Sequence, residues 1–210
     1  MKKEKTLIVI TGTSRGLGKA LKEKYIDNNF ISINRKNEEV GDVILDLSSK
    51  DIDLDLLKVK LKEYEKVVFI SNASTIYPIE LISNLTEKAL EDSIYTNYIT
   101  PSKIILEIVK SNLSYVILNI TTGAAFTINT KLSLYSASKS AMHRFIEILR
   151  KEEEDNPKAL YINNYDPKRM KTNMQMNLIK AKSLTTIKPD ALKKPEEVAD
   201  DIDMLIGKYI

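Results

Sequence analysis

Thr11–Gly18 reads TGTSRGLG. An apolar run, Leu7-Ile8-Val9-Ile10, precedes it, and apolar residues at helical spacing, Leu17, Ala20, Leu21 and Tyr25, follow. A short apolar run closed by glycine is the pattern of a strand buried on both faces of a parallel sheet. Gly12, Gly16 and Gly18 therefore fall where a strand turns into a helix. Glycine allows a tight turn and a close approach of ligand to backbone. A helix start adds unpaired N–H groups and the positive end of the helix dipole, a good seat for a pyrophosphate. The glycine spacing departs from GxGxxG, and many strand–helix turns carry glycine for packing only. The rest of the chain has to decide between the two readings.

The 210 residues suffice for one domain with a substantial core. With 43% hydrophobic and 29% charged residues, the balance is that of an ordinary soluble protein. A net charge of +3 with scattered lysines gives no basic run and no aromatic interleaving, so no nucleic-acid partner is expected. The absence of cysteine excludes disulfides, thiolate metal sites and cysteine nucleophiles, and fits a reducing cytoplasm. No His/Asp/Glu cluster has metal-ligand spacing. The basic start MKKEK precedes only four apolar residues, too few for a signal peptide, and no stretch is long enough to span a membrane.

Apolar strand patterns alternate with helical ones along the whole chain. Strands are expected at 7–10, 30–33, 43–45, 67–70, 115–120 and 160–163. Helices are expected at about 17–28, 54–64, 86–112, 135–155 and 195–206, with Pro101 bending the long third one or sitting near a helix start. Between the second and third strands only 34–42 remain, room for a loop or a single turn. The alternation implies an α/β fold: a Rossmann-type doubly wound parallel sheet of six or seven strands in a three-layer α/β/α sandwich. Residues 1–210 are expected to form a single domain, with a substrate-covering segment at about 166–195.

In such a sheet, ligand groups gather at the carboxyl ends of the strands. Those ends carry TGTSRGLG, Asn34-Arg35, Asp46-Leu47, Ser71-Asn72-Ala73, Thr121-Thr122-Gly123 and Asp166-Pro167 followed by Thr172. Loops are polar in any case, so each end alone says little. Tyr135-Ser-Ala-Ser-Lys139 places a phenol and an ammonium one helical turn apart on the same face. A phenol near its ordinary pKa of ~10 is a poor acid–base at neutral pH, and a neighbouring cation is expected to lower it. Thr122 offers a hydroxyl that can hold a carbonyl oxygen.

Taken together, these motifs resemble the short-chain dehydrogenase/reductase family. The resemblance runs from about Lys5 to Thr172. It rests on TGTSRGLG for the TGxxxGxG turn, Asn72-Ala73 for the NAG-type motif, Asn97 in the long helix, Thr122 at the catalytic serine position, and YSASK for YxxxK. Within the family the chain looks most like the sepiapterin reductase and benzil reductase branch, partly through MKTNMQ after the sixth strand.

The resemblance implies an oxidoreductase that reduces a ketone, diketone or pteridine-like carbonyl by hydride transfer. Tyr135 would be the general acid, Lys139 would tune it and bond the nicotinamide ribose, Thr122 would orient the substrate oxygen, and Asn97 would position a relay water. Gly12, Ser14, Gly16, Leu17 and Gly18 would surround the cofactor phosphates and ribose. Asp46 and Leu47 would border the adenine, Asn72 and Ala73 the adenosine ribose, and Met170 and Thr172 the nicotinamide half. Three departures stand out: Thr122 replaces the usual serine, Ser74 stands at the glycine of NAG, and Pro167-Lys168 replaces Pro-Gly. The second strand ends without the acid that would bind a ribose diol, while Arg15 and Arg35 suit a 2′-phosphate, so NADP(H) is the expected cofactor. A non-catalytic NADP-binding sensor of the same fold is the competing reading. His143 has no expected role, and Met170, Met174 and Met176 either line a pocket or pack beneath a lid. The family likeness also implies a homodimer or homotetramer, paired through the two long helices, with Ile104, Ile105, Ile108, Phe145, Ile148 and Leu149 supplying apolar surface, some of which must face the protein's own sheet.

Overall fold

A computed structural model describes residues 5–35, 43–181 and 192–210. Six parallel strands form one sheet among the described residues: β1 (Thr6–Thr11), β2 (Phe30–Asn34), β3 (Val43–Ile44), β4 (Lys66–Ser71), β5 (Ser114–Ile120) and β6 (Ala159–Tyr165). Their order is β3-β2-β1-β4-β5-β6. The chain winds outward from β1 to one edge, returns, and winds from β4 to the other. The junction of β1 and β4 is thus the switch point where a crevice opens at the strand ends.

The double winding is written in the strands with a period of two. Leu7 and Val9, Val67 and Phe69, and Tyr115 and Ile117 point into one core. There they meet Leu57 and Leu61 of α2 (Asp55–Leu61), Ile104, Ile105 and Ile108 of α4 (Thr100–Lys110), and Met142, Ile146 and Leu149 of α5 (Ser133–Glu152). The alternate residues Ile8 and Ile10, Val68 and Ile70, and Val116 and Leu118 point into a second core. That core is closed by Leu17, Ala20, Leu21 and Tyr25 of α1 (Gly16–Tyr25) and by Val198, Ala199, Ile202 and Ile206 of α7 (Pro195–Ile206). Burying both faces is what makes the strands continuous apolar runs. Tyr25 donates to Asp203 at 2.9 Å and Lys24 pairs with Asp200 at 2.9 Å, pinning α1 to α7.

The expected long helix over 86–112 is broken in the structure. It consists of α3 (Glu87–Ile94), a π-helical turn at Tyr95–Ile99, and α4. Thr86 starts α3 by accepting from the Ala89 N–H at 3.2 Å. Pro101 stands in the first turn of α4. It has no N–H for the carbonyl of Asn97 four residues back, and its ring crowds that carbonyl, so the helix widens there. The structure adds a helix after the sixth strand that the sequence pattern does not predict, α6 (Asn173–Ala181). Met170 and Lys193 form a parallel bridge. The expected loop over 34–42 lies mostly outside the described residues.

The fold divides the apolar residues of the two long helices. Ile104, Ile105, Ile108 and Leu149 are buried in this chain's own core, because the helices carrying them lie against the sheet. Ile148 is half exposed, and Phe145 makes an edge-on contact with Tyr98.

Candidate active site

The turn after β1 is shaped by two glycines with left-handed backbone, Gly12 at φ 72° and Gly16 at φ 56°. A Cβ on Gly12 would lie 2.9 Å from Ala73, so no other residue lets β4 approach so closely. Arg15 between them is extended and exposed, and α1 begins at Gly16 with no side chain capping its N–H groups. Behind the turn, the Thr13 N–H donates to Asn34 Oδ1 at 2.9 Å, and Asn34 Nδ2 donates to the hydroxyls of Thr13 and Ser32 at 2.8 and 2.6 Å. Asn34 therefore serves as a prop for the turn. In front, Asn72 Nδ2 donates to the carbonyls of Thr11 and Gly12 at 3.0 and 2.9 Å. Thr11 Oγ1 accepts from the N–H groups of both Asn72 and Ala73 at 3.0 Å.

A continuous cleft of about 2300 Å³ runs over the carboxyl ends of the strands. Gly12, Ser14, Arg15, Gly16, Leu17, Arg35, Asp46, Leu47, Asn72, Ala73, Thr122, Tyr135, Lys139, Met170 and Thr172 all line it, as the sequence reading expects. Two expected residues do not. Gly18 lies beneath the turn, where a Cβ would fall 2.0 Å from the Gly12 carbonyl, so it packs helix against turn. Asn97 is buried behind the cleft, and its carboxamide is fully engaged. Its Oδ1 accepts from Ser74 Oγ at 3.0 Å and the Thr75 N–H at 2.8 Å. Its Nδ2 donates to the Thr75 carbonyl at 2.9 Å and to Ser138 Oγ at 3.0 Å. A relay water therefore has no free atom on the Asn97 side chain. Met170 and Met174 line the cleft, Met170 while also packing on the second core; Met176 is exposed.

At the end of the cleft beside β3, Asp46 accepts from the N–H and hydroxyl of Ser48 at 3.0 and 2.8 Å. Its partial burial disfavours charge, but these bonds and the Arg35 charge prevail and hold its pKa below the ordinary value. The end of β2 thus lacks an acid of its own, yet one from β3 faces Arg35.

At the other end, α5 brings Tyr135 and Lys139 against the end of β5. The Lys139 ammonium is buried and donates to the Ile120 carbonyl at 2.7 Å. Burial alone brings its pKa down to about 8. The phenol of Tyr135 feels the Thr122 and Ser74 hydroxyls and the charge of Asp166. The expected depression of the phenol by Lys139 is not what the structure shows. Burial pushes Tyr135 up from its ordinary value and the Asp166 charge adds to this, while the Thr122 and Ser74 hydroxyls pull the other way. The lysine cannot do more because it is itself desolvated and turned to a backbone carbonyl. Thr122 Oγ1 also accepts from the Ala124 N–H at 3.3 Å.

Two residues acquire partners that the sequence does not show. Asp166 bonds the Lys168 N–H at 2.8 Å and pairs with its ammonium at 3.0 Å, and this turn lets Lys168 hold a left-handed φ of 60° where glycine is usual. His143 bridges Thr121 (3.3 Å) and Glu147 (3.5 Å) and stacks edge-on against Phe126. The proline–lysine departure signalled the first; a lone histidine signalled nothing. Among the described residues no group of acids and histidines could hold a metal, and no helix is long and apolar enough to cross a membrane.

A doubly wound parallel sheet with its cleft at the switch point defines a Rossmann-type α/β protein. The chain belongs to the short-chain dehydrogenase family, an oxidoreductase family acting on CH–OH and carbonyl groups; the family model, described as short chain dehydrogenase, matches residues 6–183. It is 26% identical over 218 residues to the 3-oxoacyl-[acyl-carrier-protein] reductase FabG of Buchnera aphidicola, covering 95% of this chain and 88% of that one. It is 25% identical over 185 residues to the (S)-benzoin-forming benzil reductase of Bacillus subtilis, covering 80% and 76%. Of solved structures, 4-hydroxyisoleucine dehydrogenase complexed with NADH superposes with a TM-score of 0.81 at 20% identity, over 98% of this chain and 93% of that one. ElxO with NADP bound superposes at 0.79 and 20% identity, over 96% and 91%.

Proposed function

We propose that the protein is an NADPH-dependent carbonyl reductase with Tyr135 as its general acid. The observation that carries this reading is the placement of a partly buried phenol, with the Thr122 hydroxyl in the same lining and a buried lysine one turn later, in the same cleft as an uncapped helix start. Bound in that cleft, a nicotinamide dinucleotide supplies the hydride. The cleft fits such a group: the left-handed glycines keep the turn bare of side chains, and Gly16, Leu17 and the turn residue Ser14 can face phosphate and ribose oxygens. Arg15 and Arg35 can bracket a 2′-phosphate; Arg35 is also drawn toward Asp46, which keeps it at this edge. Asp46 and Leu47 then border the adenine, Ala73 the ribose, and Met170 and Thr172 the nicotinamide half.

On the substrate side, the Thr122 proton is directed to the carbonyl oxygen. A phenol held above its ordinary pKa stays protonated at neutral pH, which is the state a proton donor to a developing alkoxide requires. Lys139 lies one turn further in and presents its ammonium toward the cleft floor. A water near Asn97 would be held by its backbone carbonyl, which Pro101 leaves without the usual N–H partner.

Mixing the protein with NADPH and a panel of diketones, quinones and neutral ketones, and following nicotinamide absorbance, tests the reading. Turnover that Tyr135→Phe abolishes supports it. Tight NADPH binding with no turnover of any carbonyl, in either direction, would favour the sensor.

A further inference from the structure

The chain leaving β6 is tied down residue by residue. The Lys168 N–H donates to Asp166 Oδ1 at 2.8 Å, and Met170 is bridged to Lys193. The Lys171 N–H donates to the Lys193 carbonyl at 2.8 Å, and the Thr172 N–H to the Met170 carbonyl at 2.9 Å. Arg169, in the middle of this segment, is exposed and lines the cleft. Two cations beside it are matched: Lys168 pairs with Asp166 at 3.0 Å and Lys193 with Asp201 at 2.9 Å. The Arg169 guanidinium has neither an ion pair nor a hydrogen bond among the described residues. A second donor of the segment is also unused. Gln175, in the first turn of α6, lines the cleft with its backbone N–H held by Thr172 Oγ1 at 3.3 Å, and its Nε2 is buried without a hydrogen-bond partner. A buried amide in that state costs free energy until an acceptor meets it. This stretch of lining therefore offers N–H donors whose acceptor the chain does not supply.

We propose that Arg169 is a specificity-determining residue that binds a carboxylate carried by the carbonyl substrate, so that the preferred substrates are keto acids. This rests on the reading of the cleft as that of a carbonyl reductase. A guanidinium meets a carboxylate with two parallel N–H bonds in a planar fork, a geometry that neutral ketones cannot use. Because the backbone on both sides of Arg169 is already fixed, only its side chain has to be ordered on binding. No covalent bond at Arg169 changes: hydride and proton go to the carbonyl, and the carboxylate stays ionised.

The cofactor's phosphates offer the same anionic oxygens, and the sheet order separates the two sources. The cleft runs along the strand ends, with Arg35 after β2 and Asp46 after β3 at one end. Thr122 follows β5, and Arg169 follows β6 at the opposite edge of the sheet. Arg169 therefore stands on the side of Thr122, across the cleft from Arg35. Asp166 is the acid nearest to it in the chain, and Lys168 offsets the repulsion that Asp166 would exert on an incoming anion.

The test measures binding apart from turnover. Protein saturated with oxidised NADP, which cannot reduce a ketone, is titrated in a calorimeter with pyruvate, acetoacetate and levulinate and with the methyl ester of each. The three acids place no, one and two methylenes between carbonyl and carboxylate, so the spacing is scanned as well. At least one acid should bind about 10- to 100-fold more tightly than its ester, the range for a hydrogen bond to a charged group. Arg169→Ala should bring that ratio close to unity, and Arg169→Lys should restore part of it, because the charge returns without the fork. The NADPH dissociation constant should be the same in the native protein and in Arg169→Ala. The proposal is overturned if no acid binds better than its ester, or if the preference survives Arg169→Ala. An equal loss of NADPH affinity in Arg169→Ala also overturns it, because the arginine would then belong to the cofactor phosphates. Arg169-dependent binding of an acid that NADPH then fails to reduce leaves this site standing and counts against the reductase reading instead.

Discussion

Lys139 Nζ donates to the Ile120 carbonyl at 2.7 Å, so the site's lysine is tethered to the sheet through a neutral acceptor. An ammonium buried without a carboxylate is costly, and its pKa of about 8 records that cost. The sign follows from proton linkage. Between about 8 and the unfolded value of 10.5, the unfolded chain binds more protons than the folded one, so this group adds stability as pH rises through that window. Below pH 8 the folded protein carries the full penalty, on the order of 3 kcal/mol. Lys139→Met should therefore raise the melting temperature at pH 7 while destroying activity. Its advantage over the native protein should shrink between pH 8 and 10. A native melting temperature that falls as steeply as the variant's over that window would argue against a depressed Lys139.

Tyr135→Phe keeps ring and packing and removes only the proton. Loss of a positioned general acid typically costs roughly 10²–10⁴ in rate. Thr122→Ser should be mild because the hydroxyl persists; Thr122→Val should approach the Phe variant because shape is kept without it. The measurement is turnover of a confirmed carbonyl substrate beside the NADPH dissociation constant, which should stay near native in all three.

Arg35→Ala should weaken NADPH by about 1–3 kcal/mol, the range for a hydrogen bond to a charged group, and leave NADH nearly unchanged. Titration calorimetry with both cofactors decides. Equal affinity of the native protein for the two would remove the 2′-phosphate from its specificity.

Gly18→Ala should be harsher than its distance from the cleft suggests. The new methyl would meet the Gly12 carbonyl at 2.0 Å and the Asn72 amide at 2.6 Å. Overpacking of a tight site costs about 1–3 kcal/mol, and here the shift is passed to the glycine turn. Both a lower melting temperature and weaker NADPH binding are expected; a change in neither would show that the turn has slack.

The sheet was legible because its strands bury both faces: β1, β4 and β5 announce themselves as unbroken apolar runs, and the α7 bounds follow from Pro195 and the two glutamates after it. The glycine turn and the phenol–lysine spacing were legible for the same local reason. What the sequence hides is the destination of polar side chains. Asn97 reads as a helix residue, and only the fold shows its amide consumed by Ser74, Thr75 and Ser138. Asn34 reads as the end of a strand, and only the fold turns it inward beneath Thr13. Which apolar residues of α4 face the sheet and which could face a second copy is decided only when the sheet is in place. The Lys139 effect on the phenol fails for a related reason: spacing gives proximity but not solvation.

Thr11 ends β1 with one hydroxyl that takes two N–H groups from the chain leaving β4. The two central strands are in effect buttoned together at the point where they part. A crevice whose lips were loose would have to be ordered by its ligand, at about 1–2 kcal/mol of backbone entropy for every residue fixed. Here that ordering is completed when the chain folds, as part of the cooperative transition of the sheet. Recognition at this end of the cleft is then rigid-body docking onto a finished edge, and damage to the button would surface as lost affinity before it surfaced as lost structure.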